Sequence, residues 1–295
     1  VKTVALLVLC GLLGALVWQT LRYRSARRGP VQDEQPLLHS PSAFHVLTFL
    51  RGSQGDDLLK ALRELRGAIE AERGAKMVYA GRAAGVGLAS SQLGASDWDA
   101  VALVQYPSRA AHDALASSPA YRAALGRFAA TYSHGMHRLV LLNLAVPGLL
   151  LARRALDLVT RRPRRTPFQP TPLEERDERT RDAAERLCEL RAYGGDAVVI
   201  ANLLKQGNAE ERAANRRYGL AMAGLFAEKG HGPMHVGRAV TLEGQARFDH
   251  VALVYYPGVD YLTRMIESSF FNEIVADKQP GDTLSLPTVP VLRQL

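Results

Sequence analysis

Trp98-Asp-Ala-Val-Ala-Leu-Val-Gln-Tyr-Pro107 returns later in the chain as Phe248-Asp-His-Val-Ala-Leu-Val-Tyr-Tyr-Pro257, with seven of the ten positions identical. The pairing runs on without a gap to Ser118-Pro-Ala-Tyr121 against Ser268-Ser-Phe-Phe271, and upstream, across a loop six residues longer in the first copy, Gly81-Arg-Ala83 answers Gly237-Arg-Ala239. Ordered agreement of this kind marks a duplication. The period is far too long for a solenoid, so each copy reads as a domain-sized unit.

Around the decapeptide both copies present the same succession of signals. Residues 43–51 and 197–205 are short β-rich runs, and residues 56–73 and 209–229 carry helical spacing that ends in Gly74 and Gly230. A hairpin follows, turning at Glu243-Gly244-Gln245 in the second copy and through residues 85–96 in the first. Pro107 and Pro257 end the third strands; second helices are predicted over 109–131 and 260–276, and closing strands over 137–146 and 283–292. The order βαββαβ is a ferredoxin-like split β-α-β. In the third strand, Val101, Leu103 and Gln105 alternate with Ala100, Ala102, Val104 and Tyr106, so both faces call for burial. The predicted α+β fold is therefore two such modules packed sheet against sheet within one chain. Pro287 and Pro290 make the last strand an edge or a bulged one.

The run from Trp98 to Ala111, followed by Ser118-Pro-Ala-Tyr121, resembles bacterial proteins of the dimeric α+β-barrel superfamily, in particular the group called domain of unknown function 1330; Asn202-Leu-Leu-Lys205 is similar as well. The resemblance implies a barrel that related proteins build from two subunits, here made pseudo-symmetrically by one chain. That superfamily includes monooxygenases, isomerases and haem enzymes, but their active residues cannot be matched onto this sequence, and fold does not imply function.

The chain has 295 residues, 47% of them apolar, and a net charge of +8. Much of the excess is arginine beside apolar segments, which argues against a nucleic-acid partner and for a membrane surface. Val4 to Trp18 holds no charge and, with its flanks, reaches the ~20 residues of a spanning helix. No small-x-small site follows it, so an uncleaved anchor is expected. Lys2 on one side against Arg22, Arg24, Arg27 and Arg28 on the other predicts a single-pass protein of the inner membrane with its body in the cytoplasm. Residues 149–161 form a basic amphipathic helix with Arg153, Arg154 and Arg161 on its polar side, suited to a headgroup region or to covering a sheet edge. A Pro-rich linker over 162–171 leads to a charged helix reaching about residue 191, read as a solvated spacer. The predicted organisation is thus an anchor over 1–22, a juxtamembrane linker over 23–42, modules over 43–146 and 195–295, and connecting material over 147–194. Cys10 and Cys188 exclude a disulfide framework.

No constellation assigns catalysis. His134 and His137 fall at a predicted helix-to-strand junction, and His231 and His235 are separated by Gly232-Pro233; neither pair has ligand spacing on one helical face, so no metal is expected. His250 faces Arg238 across the hairpin, as a partly exposed strand histidine. Gly85-Val-Gly87 joins two strands rather than opening a helix, which argues against a phosphate cradle. No cofactor is expected. The place for a small-molecule ligand is a cavity between the sheets, lined by His45, Thr48, Arg82 and Gln105 in the first copy and Asn202, Arg238, His250 and Tyr255 in the second. The expected function is a membrane-anchored small-molecule-binding or protein-interaction module; an enzyme of monooxygenase or isomerase type and a structural subunit of a membrane complex are the alternatives. The expected partners are the membrane and a small molecule, with no protein partner specified.

Overall fold

The structure is a computed structural model of the whole chain, describing all residues except 1, 28–30, 56, 86, 94–96, 194 and 280, and no side chains for residues 2–9, 188, 189 and 191. Its elements run α1 (Lys2–Ser25), β1 (Phe44–Gly52), α2 (Leu58–Glu70), β2 (Lys76–Ala83), β3 (Ala100–Tyr106), α3 (Arg109–Ala116), α4 (Pro119–Leu125), β4 (Phe128–Arg138), α5 (Leu142–Val159), α6 (Glu178–Arg186), β5 (Val198–Leu204), α7 (Ala209–Lys229), β6 (Gly232–Thr241), β7 (His250–Tyr256), α8 (Val259–Ile266), α9 (Ser269–Ile274) and β8 (Leu284–Pro290). Helix starts are fixed by side-chain caps. Asp57 accepts from the Leu59 and Lys60 amides, Ser108 from Ala111 and Ser118 from Tyr121. Asn208 forms a full capping box with Glu211, and α7 stops at Gly230 with φ of 74°.

The eight strands close into one antiparallel barrel in the order β1-β3-β2-β8-β5-β7-β6-β4. Two seams join the halves. At one, β2 meets β8 with Gly81 opposite Pro290 and Ala83 opposite Thr288. At the other, β4 meets β6 from His134 opposite Thr241 to Arg138 opposite Gly237. The interior is filled by side chains of alternate strand positions, among them Leu47, Phe49, Leu103, Met136, Leu203 and Leu253. Outside the first half, Val46, Leu50 and Tyr106 meet Leu62, Leu65, Ile69 and Tyr121 of α2 and α4. Outside the second, Val198 and Tyr256 meet Leu225, Leu262 and Met265 of α7 and α8.

Three expectations are corrected. The two modules are not separate sheets laid face to face behind a spanning helix; their edges hydrogen-bond into a single closed eight-stranded barrel, which leaves no edge strand. The expected anchor and the single-pass inner-membrane location are overturned because, among the described residues, no helix is long and apolar enough to cross a membrane. The side chains of residues 4–9 lie outside the described residues, but Gln19, Thr20, Tyr23 and Arg27 are buried against protein, and the Tyr23 hydroxyl donates to the Pro233 carbonyl. The last strand of the first half lies earlier than predicted: Phe128 to Arg138 is β4, whereas residues from Leu142 onward, read as strand, begin α5, with Pro147 inside it.

The arginines expected on a membrane surface have varied surroundings. Arg22 donates to the Lys229 carbonyl, Arg24 to the Gln35 carbonyl, and Arg27 is buried. Arg153 pairs with Asp157 at 3.1 Å, Arg154 and Arg161 are exposed, and Arg28 lies outside the described residues. Leu12, Val17 and Trp18 of α1 and Leu149, Leu158 and Val159 of α5 are exposed apolar residues.

Closure fixes what can stand at the seams. A Cβ on Gly237 would lie 2.4 Å from the His137 carbonyl oxygen and 2.4 Å from Met136 Cγ, whereas one on Gly67 of α2 would meet nothing within 4 Å. In denaturant titrations Gly237→Ala is expected to destabilise by about 1–3 kcal/mol, and Gly67→Ala to stabilise by about 0.5–1 kcal/mol through helix propensity. Equal effects of the two substitutions would contradict this seam.

Candidate functional site

The two halves share a sheet-and-helix layout but not its filling. Phe44 stands opposite Tyr106 in the first half, where the second half has the smaller Val198 opposite Tyr256. In the first half Phe44 is fully buried and its ring lies edge-on to His112 at 5.8 Å. In the second half a cavity of about 430 Å³ lies between the outer face of the sheet and the helices. Ile200, Tyr256 and Pro287 form its floor; Tyr218, Leu262, Met265 and Phe271 its helical walls; and α6 with residues 87–91 its remaining side. The charged helix read as a solvated spacer is therefore a wall of the cavity, and Leu187 just beyond its end is buried.

Few polar groups line this apolar space. Tyr218 and Tyr256 have raised pKa values because burial disfavours the phenolate, so both stay neutral donors, and neither hydroxyl has a hydrogen-bond partner among the described residues. Lys278 is held below the usual lysine range, first by burial and then by the neighbouring Arg186. Lys278 and Arg186 have no ion-pair partner among the described residues. Asp182 is exposed at the cavity. Burial works against the charge of Asp282, but the Ser91 amide, which donates to its Oδ1 at 2.7 Å, and the nearby polar side chains of Gln92, Ser90 and Ser91 outweigh it and hold the carboxyl below its usual range. An apolar body with two uncompensated cations and two free hydroxyls suits an amphipathic molecule with one anionic or accepting end.

The residues proposed from the sequence do not meet at one place. His45, Gln105 and Tyr255 sit on inward positions of β1, β3 and β7; Thr48, bonded to Ser133 at 3.1 Å, and Asn202, bonded to the carbonyls of Ile200 and Ala252, sit on outward ones. Arg82 and Arg238 are exposed; His250 pairs in register with Arg238 and touches Gln206 at 2.8 Å. Among the described residues no group of three or more His, Cys, Asp or Glu is arranged to hold a metal ion. His134 lies inside a long strand and is fully buried, not at a helix junction, and His231 and His235 are buried too. Sequence reasoning missed Tyr218, Arg186 and Lys278. The apolar i, i+4 series Tyr218, Met222, Phe226 could have pointed to the first; nothing marks Lys278, which follows α9 in an irregular segment.

No family model and no curated protein matches the chain. Solved structures do. An anthrone oxidase-like protein is 8% identical, with 85% of this chain and 92% of the other aligned and a TM-score of 0.45. A chlorite dismutase variant from Candidatus Nitrospira defluvii is 12% identical over 88% and 96%, with a TM-score of 0.41. A protein of unknown function from Rhodopseudomonas palustris is 20% identical, spanning 42% of this chain and 96% of its own, with a TM-score of 0.32.

Burial also sets a pH response. His39 and His134 are pulled down to about 4 and His231 to about 3, each chiefly by desolvation, with Arg138, Arg247 and Arg27 respectively adding repulsion; His45 and His235 fall well below 6.5 for the same main reason. The unfolded chain takes up protons near pH 6.5 that the native state refuses. Stability is therefore full above pH 6.5 and falls as pH drops toward 4, by up to about 1.4 kcal/mol per pH unit for each such histidine. Urea midpoints are expected to fall steeply between pH 7 and 5; a flat profile would show the imidazoles to be solvated.

Proposed function

We propose that this protein binds a small amphipathic anion, a medium-chain carboxylate in the simplest case, in the cavity on the outer face of the second half-barrel. The observation that carries the reading is the pairing of about 430 Å³ of largely apolar space with Lys278 and Arg186, two cations without carboxylate partners among the described residues. The apolar chain would lie against Ile200, Leu262, Met265 and Phe271, and the carboxylate would take the hydrogen bonds that Lys278, Arg186 and the tyrosine hydroxyls otherwise leave unmade. A charge-assisted hydrogen bond contributes about 1.5–3 kcal/mol, so the head group discriminates and the chain supplies bulk affinity.

A catalytic reading, the alternative of an oxygenase or isomerase, draws on the same Lys278. An amine whose protonated form is disfavoured by burial and by a neighbouring cation is a weaker base than a solvated lysine, but more of it is uncharged near neutrality and so available as nucleophile or proton acceptor. Such a group can take a proton from a carbon acid bound beside it, which is the chemistry an isomerase needs.

Calorimetric titration with decanoate and with decanol separates these parts. Decanoate is expected to bind about tenfold or more tightly than decanol, Lys278→Met to remove most of that difference, and Ile200→Trp to weaken both by filling the space. Because Lys278 must be protonated to pair with the carboxylate, decanoate affinity is expected to fall as pH rises through its lowered pKa, while decanol affinity stays level. Equal affinity for the two probes, or binding untouched by Ile200→Trp, would place the ligand elsewhere.

A further inference from the structure

Lys278 is held in place by its neighbours in the chain. It follows the single 3-10 turn Val275–Asp277, and its amide donates to the Val275 carbonyl at 2.9 Å. On one side of it Asp277 pairs with Arg217 of α7 at 2.6 Å. On the other, the Gln279 amide donates to Asn215 Oδ1 of α7 at 2.9 Å, and Asn215 donates back to the Gln279 carbonyl. Residues 277 and 279 are thus fastened to one helix, and the residue between them lines the cavity together with Tyr218 of that helix and Val275 of the turn. Of the six lysines in the chain, Lys278 is the one that lines this cavity among the described residues.

The charges that face Lys278 leave its amine unpaired. From α6 come Arg179, Asp182 and Arg186, from α7 and β7 the hydroxyls of Tyr218 and Tyr256, and from the segment before β8 Asp282. The carboxylates are engaged elsewhere or remote: Asp277 is bound to Arg217, Asp282 accepts from the Ser91 amide at 2.7 Å, and Asp182 is exposed and makes no ion pair with Lys278. Arg179 donates to the Ala276 carbonyl at 2.8 Å. That leaves Arg186 as a second cation beside an amine whose charge burial already disfavours. An amine so placed keeps a free lone pair at a pH where solvated lysines are ammonium ions. The rest of the lining is apolar, apart from the two neutral tyrosine hydroxyls.

We infer that Lys278 is a covalent carbonyl-binding site: its amine condenses with an aldehyde or ketone whose apolar chain lies in the cavity of the second half-barrel. The inference rests on the reading of that cavity as a ligand site, but it needs no anionic head group. The Nζ lone pair forms the C–N bond as the π pair of the carbonyl moves to oxygen. One Nζ proton passes to that oxygen, giving the carbinolamine, and the second leaves with the hydroxyl as water, giving the imine. Nothing is oxidised or reduced. Arg186 is a positioning residue here, acting through Lys278 by keeping its amine uncharged.

Incubating the full chain with decanal, quenching with sodium borohydride and mapping the peptides by mass spectrometry reads this directly, because hydride converts the imine to a stable secondary amine. At pH 7 Lys278 is expected to be labelled about tenfold or more over exposed Lys60 and Lys205, since each unit of lowered pKa raises the free-amine fraction about tenfold. Excess decanol is expected to suppress labelling of Lys278 and not of Lys60, and Ile200→Trp to do the same. Labelling of Lys278 is expected to rise with pH and to level off at lower pH than that of Lys60. Arg186→Gln is expected to move that rise upward in pH and leave the plateau unchanged. Equal labelling of Lys278 and Lys60, or labelling of Lys278 untouched by both decanol and Ile200→Trp, would overturn the inference. Decanoate binding without preferential labelling of Lys278 would leave the anion reading standing and refute only the covalent site; preferential labelling with no decanoate affinity would do the reverse.

Discussion

A sheet of eight strands can leave no edge only if both of its ends find partners, and in this chain the two closures differ. The β4–β6 seam is five residue pairs long, whereas the β2–β8 seam has three, one of them with Pro290, which donates no amide. The shorter seam is reinforced through side chains. Tyr79 O–H donates to Thr288 Oγ1 at 2.7 Å, and Thr288 donates in turn to the Val199 carbonyl at 2.7 Å, linking β2, β8 and β5. Gly81 makes that chain of bonds feasible, because a Cβ there would lie 2.4 Å from the Tyr79 hydroxyl. Both outer helical layers and the barrel end on which α1 docks take their positions from this ring.

Duplication supplied two equal frames, and substitution then separated their uses. The inward positions of both halves fill the barrel, so ligand space is pushed to the outer faces. Where Phe44 and Tyr106 face each other in the first half both side chains are fully buried; the second half has a cavity over Ile200, Tyr256 and Pro287. At the barrel end on which α1 docks, His45 of β1 has Val199 as its counterpart in β5, so the polar cluster around His45 belongs to one end of one half. The resulting asymmetry places apolar space, with Lys278 and Arg186 lacking ion-pair partners among the described residues, on one side and buried Arg27 and Arg138 on the other.

Much of this frame could be read in the sequence. The repeated decapeptide located β3 and β7, and the Gly-Arg-Ala triplets marked β2 and β6, one strand of each seam. Hydrogen bonding between the halves had no local signal, since it joins Gly81 to Pro290 and Arg138 to Gly237 across the whole chain. The apolar run of α1 also misled: its length suggested a span, while Tyr23 near its end and Arg27 just beyond it donate to the Pro233 carbonyl of β6 and so dock the helix on the barrel. Of the site, Tyr256 stood in the repeat, but Arg186 looked like solvated charge and Lys278 followed no pattern. Burial, not spacing, gives those two cations their chemistry.

Amide hydrogen exchange resolved to the seam strands tests closure most directly, measured at protein concentrations where light scattering gives the mass of one chain, 32.2 kDa. The amides of residues 134–138 and 237–241 are expected to exchange as slowly as those of the interior strands β1 and β7, because opening either side of that seam breaks the barrel. Exchange at both stretches as fast as in the connecting loops, with β1 and β7 still protected, would mean that the halves are separate sheets and that the ring does not close within one chain.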